Sequence, residues 1–127
     1  MKTLDTTFLI DLMNGVEETQ KIIRDEMIVT TQINMFEIIR GFFLDRNPAI
    51  AMQRAFDLFE SVRVLQLNDN AVIKSAEISA TLDKKGTIIS DADCLTAGIS
   101  LSNGISTIIT RNIKHFSRIP GIKVETY

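Results

Sequence analysis

Five short runs rich in β-branched and apolar residues stand apart in the chain: KTLD (2–5), MIVTT (27–31), VRVLQL (62–67), STIIT (106–110) and IKVET (122–126). Between them lie longer segments with helical patterning. The first runs from Thr6 to about Met13 and stops at Asn14-Gly15. The next runs from Gln32 to about Leu44, and Pro48 opens another to about Ser61. Asp69 is placed to cap a helix that ends near Lys85, before Gly86, and Asp91 to Ser102 is helical, with Asn103-Gly104 as its stop. Strands separated in this way must return through crossovers, which give parallel pairing. The expected fold is α/β: a three-layer domain with a central, mostly parallel sheet of about five strands flanked by helices. The 127 residues suit a single domain, 1–127, with no repeat or linker-like stretch and prolines only at 48 and 120.

In such sheets ligands bind beyond the carboxyl ends of the strands, where strand order reverses. Asp5 ends the first strand, and Thr110, Arg111 and Asn112 follow the fourth. If those two strands are neighbours, their ends define one crevice. The 14 basic and 16 acidic side chains give a net charge of -2, which argues against a generic polyanion binder. Cys94 is the only cysteine, so an intrachain disulfide and a thiolate zinc cluster are both excluded, and a reducing compartment fits. The FLI run near the start is too short for a signal-peptide core, and no run approaches a membrane span; a soluble, cytoplasmic protein is expected.

The acids carry the chemistry, and each has a structural alternative. Asp5, between strand and helix, is a good N-cap. Ser90-Asp91-Ala92-Asp93 matches a capping box with Asp in place of Glu, and acids in a first turn also suit the helix dipole. On the helix after MIVTT, Asn34, Glu37 and Gly41 share one side, while Met35, Phe36, Ile39, Phe42 and Phe43 share the other. The apolar side is expected to pack against the core or another chain. A carboxylate on so apolar a helix is costly to bury unless it binds a cation or accepts hydrogen bonds. Asp5, Glu37, Asp91 and Asp93 together make a hard-oxygen set of the kind Mg²⁺ prefers. His115, the lone histidine, reads as an ordinary surface residue.

Three blocks carry a resemblance that covers essentially the whole chain. LDTTFLIDLMNG resembles the short strand, Asp-Thr turn and following helix of the PIN-domain nucleases, and more narrowly of VapC-type toxin ribonucleases. TTQINMFEIIRG resembles the helix that bears their second acid, and SDADCLTAGISLSNGISTIITRNIKHFSRIPGIKVETY resembles their C-terminal block. The resemblance implies a PIN-like fold and a Mg²⁺-dependent (or Mn²⁺-dependent) endoribonuclease. It matches Asp5, Glu37 and Asp93 to the family's acids and Asp91 to an additional acid two residues earlier, a catalytic set of four. Asp5 and Asp93 are the expected direct metal ligands, with Glu37 and Asp91 completing the site. Asn112 falls where some members carry a fourth aspartate; it keeps a carbonyl oxygen and loses the charge. Thr7 stands in the place of Asn or Ser and is expected to orient Asp5, with Thr110 and Asn112 as further supports.

Arg40, Arg111 and Lys114 are candidate contacts to RNA phosphates. The resemblance also implies a VapB-type antitoxin that lays a segment across the acidic crevice. Core packing is expected to take up most of Phe36, Ile39, Phe42, Phe43, Met52, Phe56 and Phe59, the surplus serving a homodimer surface or an antitoxin groove. Rival readings are a housekeeping RNA-processing PIN nuclease and a PIN-like module that binds without cutting. A receiver domain fits worse: Asp5 is followed by two threonines, the third strand runs into Gln66-Leu67-Asn68, and no lysine stands where a receiver needs one. A haloacid-dehalogenase-like phosphatase would need an aspartate where Thr7 stands.

Overall fold

A computed structural model describes residues 1–127. In chain order the elements are β1 (Lys2–Leu4), α1 (Thr6–Met13), α2 (Glu17–Asp25), β2 (Ile28–Thr31), α3 (Gln32–Phe43), α4 (Pro48–Ser61), β3 (Arg63–Leu65), α5 (Asp69–Lys84), α6 (Asp91–Ser102), β4 (Thr107–Ile109), α7 (Ile113–Phe116) and β5 (Lys123–Glu125). The strands form one sheet in the order β3-β2-β1-β4-β5, and every pairing is parallel. Thr3 pairs with Ile108 and Leu4 with Ile109, so β1 and β4 are neighbours. From that pair the sheet grows outward in two directions, which is where strand order reverses.

Successive strand residues point to opposite faces, and the sheet separates two packed layers accordingly. Leu4 and Ile109 join Phe8, Leu9, Leu12, Ile38, Leu58 and Val62, the contribution of α1, α3 and the end of α4. Ile108 faces the other way and joins Ile78, Leu82, Cys94, Ala97 and Phe116 from α5, α6 and α7. A third group, Val29, Leu65, Ala71, Ile99 and Ile105, closes the β2–β3 side. Fully burying one such Leu, Ile or Phe side chain contributes about 1.5–3 kcal/mol.

Several local expectations are corrected. Two helices, α2 and α7, stand where none was expected. In α2, EETQKIIRD, the N-cap Val16 makes no side-chain cap bond, yet Glu17 and Glu18 stand in the first turn and Ile22 and Ile23 pack against the core, so the sequence does carry an amphipathic pattern there. α7 is a single turn. The cap of α5 is Asn68, whose Oδ1 accepts from the Ala71 amide at 3.0 Å; Asp69 is already the first helical residue. The sides of α3 are exchanged. Asn34 and Ile38 are its buried residues, while Phe36 and Phe43 are both 64% exposed. A polar network described below draws Asn34 inward. Of the apolar set on α3 and α4, no member is fully buried, so core packing does not absorb it; Phe42 and Phe59 lie against the core, and Phe56 is exposed.

The last residue is well tied. The Tyr127 ring meets Phe8 edge-on, with centroids 5.0 Å apart, and its hydroxyl donates to Asp11 Oδ2 at 2.6 Å. Burial and the Asp11 carboxylate push its hydroxyl up from 10.0 to about 12. The folded chain therefore holds this proton more tightly than the unfolded chain, and the stability it contributes is lost as pH climbs from 10.0 through about 12. Tyr127→Phe is expected to cost about 0.5–1.5 kcal/mol at pH 7 and to remove that alkaline loss, read from urea unfolding at pH 7 and again above pH 10.0. No helix is long and apolar enough to cross a membrane.

Candidate active site

The ends of β1 and β4 open into a cavity of about 310 Å³. Asp5, Thr6, Thr7, Asn34, Glu37, Ser90, Asp93, Asn112 and His115 line it, and none of them is hydrophobic. Three acids from three segments meet there: Asp5 at the start of α1, Glu37 on α3 and Asp93 in the first turn of α6.

Asp5 is 4% exposed. Its Oδ1 accepts from Thr7 Oγ1 at 2.7 Å and from the Phe8 amide at 3.1 Å, and its Oδ2 accepts from Thr110 Oγ1. It therefore caps α1 while lining the crevice. Burial pushes its carboxyl up, the hydrogen bonds from Thr110, Thr7 and Phe8 oppose that, and the charge of Asp93 adds a smaller upward push. The two threonines are themselves fixed: Thr110 Oγ1 accepts from the Asn112 amide at 2.8 Å and Thr7 Oγ1 from the Arg111 amide at 3.1 Å.

Glu37 Oε1 accepts from Thr6 Oγ1 at 2.7 Å. Thr6 in turn accepts from Asn34 Nδ2 at 3.1 Å, and Asn34 Oδ1 accepts from Thr31 Oγ1 at 2.7 Å. Asn34 is 2% exposed, and its amide also reaches Thr96 Oγ1 at 3.4 Å. A buried amide needs partners on both its ends, and this network supplies them beneath the cavity. That is why the polar stripe of α3 faces inward. Thr6, Thr31 and Asn34 are supports that the sequence marks only weakly, by the placement of Thr6 directly after Asp5 and of Asn34 one turn before Glu37.

At α6, Ser90 Oγ accepts from the Asp93 amide at 3.2 Å, the first half of a capping box. The Asp93 carboxylate does not return the bond. Its Oδ2 lies 3.2 Å from Asn112 Nδ2 and 3.3 Å from His115 Nδ1. Asp91 is not brought to the cavity. Residues two apart on a helix point about 200° away from each other, and Asp91 lines two other cavities, with Ser79 and Cys94, on the α5 side. His115 is likewise a correction: the lone histidine is a wall of the acidic site. Nothing local marks it, because its partner acid lies 22 positions away.

Of the basic candidates, none lines this cavity. Arg40 borders an apolar groove with Phe36, Ile39 and Phe43. The Arg111 side chain is engaged with Asp11, Nε to Oδ2 at 2.8 Å. Lys114 is exposed on α7, next to His115.

The donors facing the cavity are carboxylate, amide and hydroxyl groups with one imidazole. No three acid or histidine side chains close up enough to enclose an ion by themselves. Hard oxygen donors at that looser spacing fit a divalent cation that retains part of its water, as Mg²⁺ does.

A sequence profile of the PIN domain matches residues 2–122. The tRNA(fMet)-specific endonuclease VapC of Salmonella typhimurium is 30% identical over 97 residues, 76% of this chain and 73% of that protein. Ribonuclease VapC1 of Haemophilus influenzae is 29% identical over 125 residues, 94% of this chain and 92% of its own length. Among solved structures, DNA-bound VapBC from Salmonella typhimurium superposes with a TM-score of 0.91 at 26% identity, covering 98% of this chain and 96% of the other.

Proposed function

The chain belongs to the PIN-domain family, and from that premise we propose that it is a metal-dependent endoribonuclease, the toxin of a toxin–antitoxin pair with a VapB-type partner. The observation that carries this reading is the convergence of Asp5, Glu37 and Asp93 on one cavity without an apolar wall, at the point where strand order reverses. The domain is the whole of 1–127, and an RNA substrate sets its place of work in the cytoplasm.

The reaction is hydrolysis of an RNA phosphodiester: a water oxygen bonds to phosphorus, the bond to the 3′-oxygen breaks, and 5′-phosphate and 3′-hydroxyl ends result. Asp5 and Asp93 would hold Mg²⁺ or Mn²⁺, and the bound ion would supply attraction for the phosphate, a more acidic water and compensation for charge on the leaving oxygen. Glu37, oriented by Thr6, accepts hydrogen bonds from water at the edge of the site. Thr7 and Thr110 fix the rotamer of Asp5. Asn112 contributes its amide to Asp93, so this position supplies a donor where a fourth acid would supply charge. Single-stranded RNA or an exposed loop suits a cavity of about 310 Å³. Lys114 remains the best-placed of the basic candidates for phosphate. Arg111 would have to leave Asp11 first, and Arg40 lies on the wrong surface. That surface, with Phe36 and Phe43 exposed, is assigned to protein partners: the antitoxin and a second copy of the chain.

Antitoxin-free protein incubated with total RNA is expected to cut in Mg²⁺ or Mn²⁺ and to stop in EDTA. Glu37→Gln should slow cutting roughly ten- to hundredfold, while Asp91→Asn should cut like the parent chain. Cutting that survives EDTA, or is lost in Asp91→Asn and kept in Glu37→Gln, would overturn the assignment.

A further inference from the structure

We propose that His115 is a positioning residue for the metal-holding carboxylate of α6: with Asn112 it clamps Asp93 Oδ2, which keeps Asp93 out of the helix cap and leaves its Oδ1 for the cation. The proposal rests on the reading of Asp93 given above.

Three polar atoms form a tight triangle. Asn112 Nδ2 lies 3.2 Å from Asp93 Oδ2 and 3.1 Å from His115 Nδ1, and the ring nitrogen lies 3.3 Å from the same carboxylate oxygen. The ionised oxygen can only accept. The amide must present its NH₂ group to it, since the flipped amide would set carbonyl oxygen against carboxylate. We place the ring hydrogen on Nδ1, so that two N–H donors converge on one oxygen; in the other tautomer Nδ1 would accept the second N–H of Asn112 and the carboxylate would keep only the amide donor.

The alternative place for this carboxylate is known from the local sequence. Ser90 already accepts from the Asp93 amide at 3.2 Å. A full capping box would turn the Asp93 carboxylate back onto the Ser90 amide. The clamp competes with that rotamer. Its own position is secured from the core: Phe116, the next residue, is fully buried, and Ile119 is packed in the same group. The His115 side chain is 43% exposed, so its hydrogen bond adds little to folding. The same short segment also carries Thr110, which donates to Asp5 Oδ2. The turn from β4 into α7 thus registers two acids at once.

Asparagine places an N–H near the position of ring Nδ1, whereas glutamine places one near Nε2, which makes the test specific. Mn²⁺ binding to the antitoxin-free chain would be followed by calorimetry in His115→Ala, His115→Gln and His115→Asn, with melting temperature as a check on folding. Alanine and glutamine should weaken Mn²⁺ roughly tenfold; asparagine should recover most of that loss. Cleavage at saturating Mn²⁺ should return toward the parent kcat in all three. Parent-like Mn²⁺ affinity in His115→Ala would overturn the proposal, as would recovery by glutamine and not by asparagine, which would put the active nitrogen at Nε2. Asp93→Asn separates the two levels: undiminished Mn²⁺ binding there would sink the site assignment itself, while lost binding there beside unchanged His115 variants would sink only the clamp.

Discussion

Asp5→Asn is expected to give a chain that melts higher at pH 7 and cuts RNA at least about a hundredfold more slowly. The loss of cutting follows from the charge: the amide keeps one carbonyl oxygen and loses the negative charge that would hold a divalent cation. The gain in stability follows from burial. Asp5 is 4% exposed, and desolvation is the largest influence on its carboxyl, raising it from the usual 3.8. A raised folded-state value means that the folded chain holds the proton more tightly than the unfolded one. Stability therefore falls as pH rises from 3.8 through the raised value, and stays lower above it. Asparagine never pays this desolvation cost. The site can also receive it: its carbonyl would accept from Thr7 and the Phe8 amide as Oδ1 does now. Its NH₂ would donate to Thr110 Oγ1, whose hydrogen can turn toward Thr7 Oγ1, 3.3 Å away. Melting curves from pH 3.5 to 7 beside a cleavage assay measure both effects. A lower melting temperature for Asp5→Asn at pH 7 would mean that the three hydrogen bonds outweigh burial, and would refute the trade between stability and activity.

Gly98→Ala is expected to cost about 1–3 kcal/mol, which lowers the melting temperature by roughly 5–12 °C. Gly98 sits in the middle of α6 against α5. A Cβ there would stand 2.8 Å from Ser75 Cα, a backbone atom that no rotamer change can move. Ser75 is itself pinned, its Oγ donating to the Ala71 carbonyl at 2.7 Å. The added methyl must push the two helices apart, and α6 carries Asp93 at its other end. Weaker Mn²⁺ binding should therefore accompany the lost stability. Ser75→Gly in the same chain should restore only part of it, since the Ser75 Cα remains in place. A melting temperature within 2 °C of the parent, a rough bound taken from the usual cost of overpacking, would show that the helix pair is looser than its geometry implies.

How much of this could be read from residues depends on how local each signal is. The parallel sheet follows from β-branched runs set apart by helical segments. The helix stops at Gly15, Gly86 and Gly104 are visible because those backbones take positive φ, where glycine is at ease. The helix α2 lacks a start signal at Val16, although its first-turn acids and the Ile22-Ile23 pair that meets the core form an amphipathic pattern. At the site, Asp5, Glu37 and Asp93 could be picked out as acids with something to explain, but their assembly depends on which strands pair. Helical patterning alone leaves Asp91 and Asp93 equivalent, and only the family resemblance ranks Asp93 first; the turn of α6 separates them in space. α3 misled in an informative way. Hydrophobicity alone left the core and another chain as alternatives for its apolar side; Phe42 lies against the core and Phe36 and Phe43 do not, and the buried side is set by Ile38 and by Asn34 with its threonine partners, a network assembled from four elements. His115 depends on the least local fact of all, a one-turn helix that swings back to meet an acid on α6.

The turning of α3 toward its polar side has a colloidal consequence. A chain that keeps Phe36, Phe43 and Leu44 in water, with a net charge of only -2, has little long-range repulsion to hold two such faces apart. The uncovered protein is therefore prone to self-association as its concentration rises, and whatever shields α3 governs how much of it stays in solution.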